Sequence, residues 1–391
     1  MSNMCRKFRQ LILLLLVFVC VLGIIVVVSV KHVMHRDGGG QVQYDKIAMR
    51  ELEARNSRRI RKLEETCKSY NLGFYQVEAQ REMIKYPPAP QYSVFYIDTI
   101  HKISYCPIYK AGSTTWLHNL CLLMNISETE LRKTKDQIST IARRLIPEMD
   151  YPEAEEVVEN TMPNKYPFFA FTTFRPQSQL FPHINFFIFF LFFILQAMRD
   201  TTKFLVVRHP FERLLSAYRD KLENSMAGRE HGTLHFYRKY GATIVQKYRD
   251  DSFIPPREDQ VIHREGVSRP TGIEPTWREF VEYLIDTDLG SYGDDHWMPY
   301  YLYCTPCSVN YTIIAKVETL NDDQTFAIQR MGLASKIKPM WRHSGGQSDA
   351  SSVYFSQLTP DHITQLYEKF KLDFEMFDYT PDSYYQYSED I

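Results

Sequence analysis

The segment ISYCPIYKAGSTTW, residues 103–116, decides the fold class of this chain. A strand-like run from Lys102 to Tyr109 leads through a turn of small residues into a helical pattern. A second run, Lys203 to Val207, is also followed at once by a helical pattern. Because strands that alternate with helices usually pair in parallel, the sequence predicts an α/β fold with a parallel sheet.

The turn in this segment has the residue types of a phosphate-binding loop. Backbone N–H groups at a helix N-terminus bind anions with the help of the helix dipole. Lys110 adds a positive charge, and Gly112 lets the backbone approach a ligand closely. The hydroxyl groups of Ser113, Thr114 and Thr115 can donate to phosphate or sulfate oxygens. The pattern is not the GxxxxGK[ST] loop of nucleotide triphosphatases, and an ordinary strand-to-helix turn is the alternative.

The segment FLVVRHPFERLLSAYRDK, residues 204–221, predicts a second anion-binding unit. Its apolar strand ends at Arg208, and a helix follows. We expect Arg208 and Ser216 to converge on one phosphate group. A helix-surface ion pair is an equal alternative for Arg213, and Arg219 and Lys221 are expected to be surface cations.

Two capping signals predict further helices of the scaffold. Residues 276–279, TWRE, form a capping box, and apolar residues then recur at helical spacing. Thr359 followed by Pro360 predicts another helix start. Both helices are expected to face the core rather than the site.

The N-terminal region predicts a membrane anchor. Residues 11–30 contain no charge, and about 20 apolar residues are needed to cross a bilayer as a helix. The cations Arg6, Lys7 and Arg9 precede this span. They predict that residues 1–10 form a cytosolic tail and that the protein has a type II orientation. A cleaved signal peptide is the alternative, although its apolar region is usually shorter.

The composition beyond the anchor predicts a stem and one large domain. Residues 31–90 are polar and charge-rich and are interpreted as a stem, the alternative being a surface helix of the main domain. Residues 91–391 form the predicted lumenal domain. Within it, residues 174–196 are unusually rich in Phe, Ile and Leu, and are interpreted either as an insertion or as a translated intron in the gene model.

Charge and cysteine content narrow the function classes. The 46 Lys and Arg nearly balance the 47 Asp and Glu, so bulk charge predicts no nucleic-acid partner.

The sequons at Asn125 and Asn310 fit a compartment in which glycans are added. The CxxC pair at 304–307 lacks partners for a zinc site, so disulfides with Cys106 or Cys121 are favoured. Five cysteines on the predicted lumenal side leave at least one outside an intrachain disulfide.

Three blocks of this sequence resemble one family, the Golgi carbohydrate sulfotransferases that act on chondroitin, dermatan and related glycans. The first two are the cofactor-signature-like segments 110–116 and 208–218. The third consists of DHWMP at 295–299, CTPC at 304–307 and KVETL at 316–320. The likeness covers roughly Ser104 to Phe377. Tyr109 is a departure, because many relatives have proline there.

The resemblance implies the parallel-sheet sulfotransferase fold, related to P-loop nucleotide-binding folds, and 3′-phosphoadenylyl sulfate as the sulfate donor. It implies that the sulfonate end is held by Lys110, Ala111, Gly112, Ser113, Thr114 and Thr115. It further implies that Arg208 and Ser216 hold the 3′-phosphate. The transfer chemistry itself requires no metal, and a Golgi membrane location follows from the family.

Sulfuryl transfer needs a cation at the departing phosphate oxygen and a base at the acceptor hydroxyl. Lys110 suits the first task. His296 is the candidate base because imidazole titrates near neutral pH, and Trp297 beside it is a candidate to stack on a sugar ring. A structural histidine is the alternative at this position. His118 and His209 are lesser candidates, because both lie within the cofactor-binding segments.

The predicted function is transfer of a sulfuryl group to a hydroxyl of a glycosaminoglycan such as chondroitin. A non-catalytic glycan-binding membrane protein descended from a sulfotransferase is the alternative. A kinase or triphosphatase is disfavoured, because the sequence shows no Walker loop. A basic patch is the candidate acceptor site, with a solvated helix face as the alternative; it comprises Arg132, Lys133, Lys135, Arg143 and Arg144.

Overall fold

The computed structural model of this chain describes most of the predicted lumenal domain. The described residues are 46–77, 86–87, 90–91, 94–134, 136–145, 198–225, 233–263, 269–340 and 350–388. The predicted membrane span 11–30 and the unusual segment 174–196 both lie outside them. Within the described ranges, no helix combines the length and the apolar character needed to cross a membrane.

The described residues form a mixed sheet of four strands, which are β1 (Tyr96–Asp98), β2 (Ile103–Cys106), β3 (Thr202–Val207) and β4 (Ile313–Lys316). The strands lie side by side in this order. β1 pairs antiparallel with β2, whereas β2 with β3 and β3 with β4 are parallel. The α/β class with a parallel-strand sheet is thus confirmed, with an antiparallel edge strand in addition.

The two strands that precede the predicted anion-binding segments are apolar because the sheet is covered on both faces. All of β2 is buried, and so are the last four residues of β3. Strands of this kind read as continuous apolar runs rather than as an alternating pattern. Both strands are parallel and adjacent, so their carboxyl ends, at Cys106 and Val207, lie at the same edge of the sheet.

Helices account for most of the remaining described residues. Their bounds are α1 (46–69), α2 (Ser113–Leu123), α3 (Glu128–Lys133), α4 (Ile138–Leu145), α5 (Pro210–Lys221), α6 (Thr233–Phe236), α7 (Ala242–Tyr248), α8 (Trp277–Asp286), α9 (Leu289–Tyr292), α10 (Tyr300–Tyr303), α11 (Leu320–Arg330), α12 (Ala350–Phe355), α13 (Pro360–Met376) and α14 (Asp382–Tyr385). A π-helical turn, Tyr237–Gly241, joins α6 to α7.

The two capping predictions are confirmed. Thr276 accepts a hydrogen bond from the backbone N–H of Glu279 and starts α8. Thr359 accepts from the backbone N–H of His362 and starts α13, with Pro360 as its first residue. The apolar faces of both helices are buried in one core cluster with α5, as expected for scaffold helices.

Two disulfides join distant parts of the chain. Cys67 pairs with Cys307, and Cys106 pairs with Cys304. Cys121 is buried and free, so the alternative pairing through Cys121 is wrong and the odd cysteine is identified. Both thiols of the CxxC pair are consumed in disulfides, which excludes them as zinc ligands. Cys106 ends β2, so its disulfide anchors the start of the loop that carries Lys110.

The compact unit begins well before residue 91. Among the described residues it begins at Asn56. The Asn56 side chain donates to the carbonyl of Thr312 over 2.8 Å and accepts from the N–H of Ile314 over 3.0 Å, which satisfies backbone groups along β4. Leu63 and Cys67 are buried in the same core as the sheet. Asn56, Leu63 and Cys67 fall within the expected stem and contact the last strand or the core around the sheet.

Candidate active site

The loop between β2 and α2 forms the predicted anion-binding turn. Gly112 is the N-cap of α2 and has a φ of 75°, a left-handed conformation that disfavours side chains. Lys110 also has a positive φ, 68°. Within the described residues no side chain caps α2, and its first turn contains no acidic residue. Its first N–H groups are therefore suited to an anionic ligand.

Burial separates the residues of this turn into two groups. The side chains of Ala111, Ser113 and Thr115 are buried. Thr114 and Gly112 are half-buried. The sequence pattern does not distinguish among residues 110–115. In the structure, the Thr114 hydroxyl is more accessible than those of Ser113 and Thr115. Ala111 and Thr115 are placed to contribute through the backbone.

Lys110 is paired with a residue that the sequence did not single out. Its Nζ lies 3.0 Å from Oδ2 of Asp220, and Nζ of Lys221 lies 3.2 Å from the same oxygen. Burial lowers the pKa of Lys110, and Asp220 counters that shift. Burial would raise the pKa of Asp220, but the charges of Lys110 and Lys221 together lower it below its usual range. Lys221 is only 12% exposed, so it belongs to the site rather than to the surface.

Arg208 connects the two predicted cofactor segments. It follows β3, and its Nη1 donates to the backbone carbonyl of Lys110 over 3.5 Å. Its Nη2 donates to Glu212 over 3.3 Å. Ser216 is half-buried on α5, four residues before Asp220, and therefore shares a helix face with the partner of Lys110. The structure thus brings Lys110 and Arg208 together, and Ser216 lies one helical turn before the partner of Lys110.

Arg213 is buried, so the alternative of a helix-surface ion pair is wrong. Only 1% of the residue is exposed. Its guanidinium donates to the carbonyl oxygens of Tyr109 over 3.0 Å, Met298 over 2.7 Å and Asp295 over 2.9 Å. These bonds satisfy the buried donors and connect the loop before Lys110 with the loop around His296. Burial lowers the pKa of Arg213.

His296 forms a pair with Asp294. Nδ1 of the imidazole lies 2.6 Å from Oδ1 of Asp294. Burial lowers the pKa of His296, Asp294 opposes this shift, and Lys221 and Lys110 reinforce it. On one face the ring stacks against Tyr109, with centroids 4.8 Å apart. Asp294 stands two residues before His296, a local signal from which this pair could have been found.

The remaining candidates, Trp297, His118 and His209, pack against other parts of the protein. Trp297 is fully buried and packs against Tyr240 and Phe280, so the expected stacking on a sugar ring is wrong. His118 is buried, with Nε2 3.4 Å from Glu128. The backbone N–H of His209 donates to Glu318 over 2.7 Å, and its ring packs among aromatic residues of the C-terminal segment.

Asn125 and Asn310 are both exposed, as a glycan attachment site requires. No three His, Cys, Asp or Glu side chains converge to hold a metal ion in the part of the chain that the structure describes.

Comparison with known proteins identifies the family. The model described as "Sulfotransferase family" matches residues 93–380. Carbohydrate sulfotransferase 11 of Mus musculus is 34% identical over 191 residues, 48% of this chain and 49% of that protein. Carbohydrate sulfotransferase 9 of Homo sapiens is 26% identical over 294 residues, 74% of this chain and 53% of that protein.

A third relative gives the same result. Carbohydrate sulfotransferase 14 of Danio rerio is 31% identical over 185 residues, 46% of this chain and 45% of that protein. The chain spans about half the length of these curated relatives. No solved structure matches it significantly. Because the family match covers residues 93–380, and thus both anion-binding segments and the His296 loop, this chain belongs to the sulfotransferase family.

Proposed function

We propose that this chain is a carbohydrate O-sulfotransferase that transfers a sulfuryl group from 3′-phosphoadenylyl sulfate to a sugar hydroxyl of a glycosaminoglycan such as chondroitin. One observation carries the proposal. Nη1 of Arg208 lies 3.5 Å from the carbonyl oxygen of Lys110, so the two segments meet near the start of α2, which supports one shared anion-binding site. The names of the relatives, all carbohydrate sulfotransferases, support the reaction class.

The residues present fit a donor that carries phosphate groups at two positions. At one position, the first turn of α2 offers backbone N–H groups beside the Lys110 ammonium. At the other, Arg208 and Ser216 provide a guanidinium and a hydroxyl. The donor supplies the activated sulfuryl group. Glu212 lies 3.3 Å from Arg208 and orients its guanidinium.

Lys110 is proposed to stabilise the negative charge that develops on the departing phosphate oxygen. A cation placed in a partly buried site is worth more than the same cation in water. Asp220 holds Nζ of Lys110 at 3.0 Å and counters the loss of its charge through burial. Asp220 therefore acts as a positioning residue for Lys110.

His296 is proposed to take the proton of the acceptor hydroxyl. The bond between Nδ1 and Asp294 assigns the ring proton to Nδ1, which leaves Nε2 as the acceptor. The side chain of His296 is 17% exposed, so the ring is reachable from solvent. Because burial lowers its pKa, the imidazole stays neutral, as a base must be, over a wider pH range than a free histidine.

We also propose that the protein is a type II Golgi membrane protein with its catalytic domain in the lumen. Support comes from the uncharged span 11–30, the cationic tail before it, and the two exposed sequons. The disulfides Cys67–Cys307 and Cys106–Cys304 are consistent with an oxidising compartment. In cells, Asn125→Gln and Asn310→Gln should each remove a glycan. Absence of any glycan, with the domain digested by protease from the cytosolic side, would refute the orientation.

The experiment that tests the reaction is transfer of radiolabelled sulfate from 3′-phosphoadenylyl sulfate to a panel of desulfated glycans. It uses the full-length chain, with and without residues 174–196. Transfer by either form supports the enzyme, and transfer only by the shorter form marks residues 174–196 as an artefact of the gene model. If both forms are folded but neither binds the donor nor transfers sulfate, the enzyme assignment fails and the non-catalytic alternative stands.

A further inference from the structure

A cavity of about 330 Å³ lies beside the loop that carries Lys110. Five residues line it, which are Tyr109, Ser139, Thr140, Arg143 and Arg144. Small-molecule sites typically enclose roughly 300–1,000 Å³. The cavity is therefore of a size for one small unit of a ligand rather than for a long chain segment.

The lining of this cavity has the chemistry of a site for an anionic sugar. Tyr109 offers an aromatic ring, and Ser139 and Thr140 offer hydroxyl groups. Arg143 and Arg144 bring two guanidinium groups, and none of the five lining residues is acidic. Guanidinium groups recognise carboxylates and sulfates through paired N–H donors.

Arg143 is the better placed of the two arginines. Its guanidinium carbon lies 4.8 Å from the ring centroid of Tyr96, and its positive charge interacts with the side chain of Tyr109. These two contacts hold the guanidinium in place, so little conformational freedom is lost when an anion binds. Arg144 is 64% exposed and already paired with Asp136 over 2.9 Å, so its charge is largely screened.

Tyr109 places this cavity next to the proposed base. The same side chain lines the cavity and stacks on the imidazole of His296 at a centroid distance of 4.8 Å. A sugar in the cavity consequently lies one aromatic ring away from His296.

We infer that this cavity binds an anionic sugar of the acceptor glycan, and that Arg143 selects the acceptor by its carboxylate or sulfate group. The inference rests on the proposed transfer to a glycan. It assigns specificity to a residue outside both donor-binding segments. It also gives Tyr109 a role, as the ring shared by the acceptor cavity and His296.

The test measures binding of three chondroitin oligosaccharides to the full-length chain in detergent by calorimetry. The first carries carboxylates only, the second is carboxyl-reduced and carries sulfates only, and the third is carboxyl-reduced and desulfated. Arg143→Ala is compared with Arg143→Lys, which keeps the positive charge but lacks the paired N–H donors of a guanidinium group. Arg278→Ala serves as the control, because Arg278 is 48% exposed on α8 and does not line the cavity.

We expect Arg143→Ala to weaken binding of an anionic oligosaccharide about tenfold or more, and to change binding of the neutral one less than about twofold. Arg143→Lys should have an intermediate effect, and Arg278→Ala none. The anionic oligosaccharide that loses affinity shows whether Arg143 recognises the carboxylate or the sulfate group. An equal loss for all three, no binding by the unsubstituted chain, or a loss confined to donor binding would overturn the inference.

Sulfate transfer by the same proteins separates this inference from the proposed function. Binding that depends on Arg143 without any transfer would sustain the cavity and refute the enzyme. Transfer with an acceptor KM unchanged in Arg143→Ala would sustain the enzyme and refute the cavity.

Discussion

Nε of Arg213 donates a hydrogen bond to the backbone carbonyl of Tyr109 over 3.0 Å. The same guanidinium also reaches the carbonyls of Asp295 and Met298. One buried side chain therefore ties the loop that carries Lys110 to the loop that carries His296. The relative position of the proposed cation and the proposed base depends on this link.

Replacing Arg213 with Met should destabilise the fold by about 3 kcal/mol or more, because three buried carbonyls lose their donors. Thermal unfolding of the full-length chain in detergent measures the change. Arg278→Met is the matched control, because Arg278 is 48% exposed and forms a surface pair with Glu282. That control should cost less than about 0.5 kcal/mol. Similar changes in both variants would contradict the structural role of Arg213.

Lys110→Ala should lower kcat for sulfate transfer by about 100-fold or more, because the departing oxygen loses its cation. Radiolabelled sulfate transfer at saturating donor gives the rate. Lys102→Ala is the control, an exposed lysine in the turn before β2. Equal rates for Lys110→Ala and the unsubstituted chain would remove Lys110 from the mechanism.

Asp220→Asn should move the alkaline limb of the pH–rate profile to lower pH. Asp220 counters the lowering of the Lys110 pKa by burial, so its removal lets that pKa fall further. Lys110 then loses its proton at a lower pH, and the rate falls earlier as pH rises. The profile of kcat measured above neutrality checks this. An alkaline limb that stays in place would show that Asp220 does not sustain the charge of Lys110.

The acid limb of the profile should report His296. Burial lowers the pKa of His296 and Asp294 raises it, so Asp294→Asn lowers it further and moves the acid limb to lower pH. The maximal rate should also drop, because the ring proton is no longer held on Nδ1. His296→Ala should remove the limb, with a loss of about 100-fold or more in kcat/KM. His263→Gln, at an exposed position, is the control. A limb that persists in His296→Ala would assign the base elsewhere.

Removing the Cys67–Cys307 disulfide by a double substitution to Ser should reduce the free energy of unfolding by about 4 kcal/mol, because the bridge links residues 240 positions apart. Denaturant unfolding of the full-length chain measures the loss. Cys121→Ser is the comparison, because Cys121 is buried but unpaired. If the double variant is no less stable than Cys121→Ser, the covalent link between α1 and Cys307 contributes nothing to the free energy of unfolding.

The local features of this fold were predictable from the sequence, because each depends on a few neighbouring residues. Apolar runs located β2 and β3, and the capping residues Thr276 and Thr359 located two helix starts. The small residues after Tyr109 indicated a turn into a helix, and Gly112 has the positive φ that such a turn requires. The pair of Asp294 with His296 is also local and was within reach of the sequence.

The partners of the charged residues were decided only by the tertiary structure. Lys110 and Asp220 are 110 positions apart, and Arg213 is more than 80 positions from Asp295 and Met298. Helical periodicity says which face a residue occupies, but not which loop that face meets. For this reason the sequence did not decide whether Arg213 is buried or exposed, and it left Trp297 as a candidate for stacking on a sugar.

The α/β class, the strand-to-helix turns and the residue types of an anion-binding site follow from the sequence alone, because short-range sterics and hydrophobic patterning specify them. The pairing of Cys106 with Cys304, the Asp220 contact of Lys110 and the burial of Arg213 required the packing of the whole domain. Contacts between distant residues depend on how strands register and helices pack, and no local pattern encodes that arrangement.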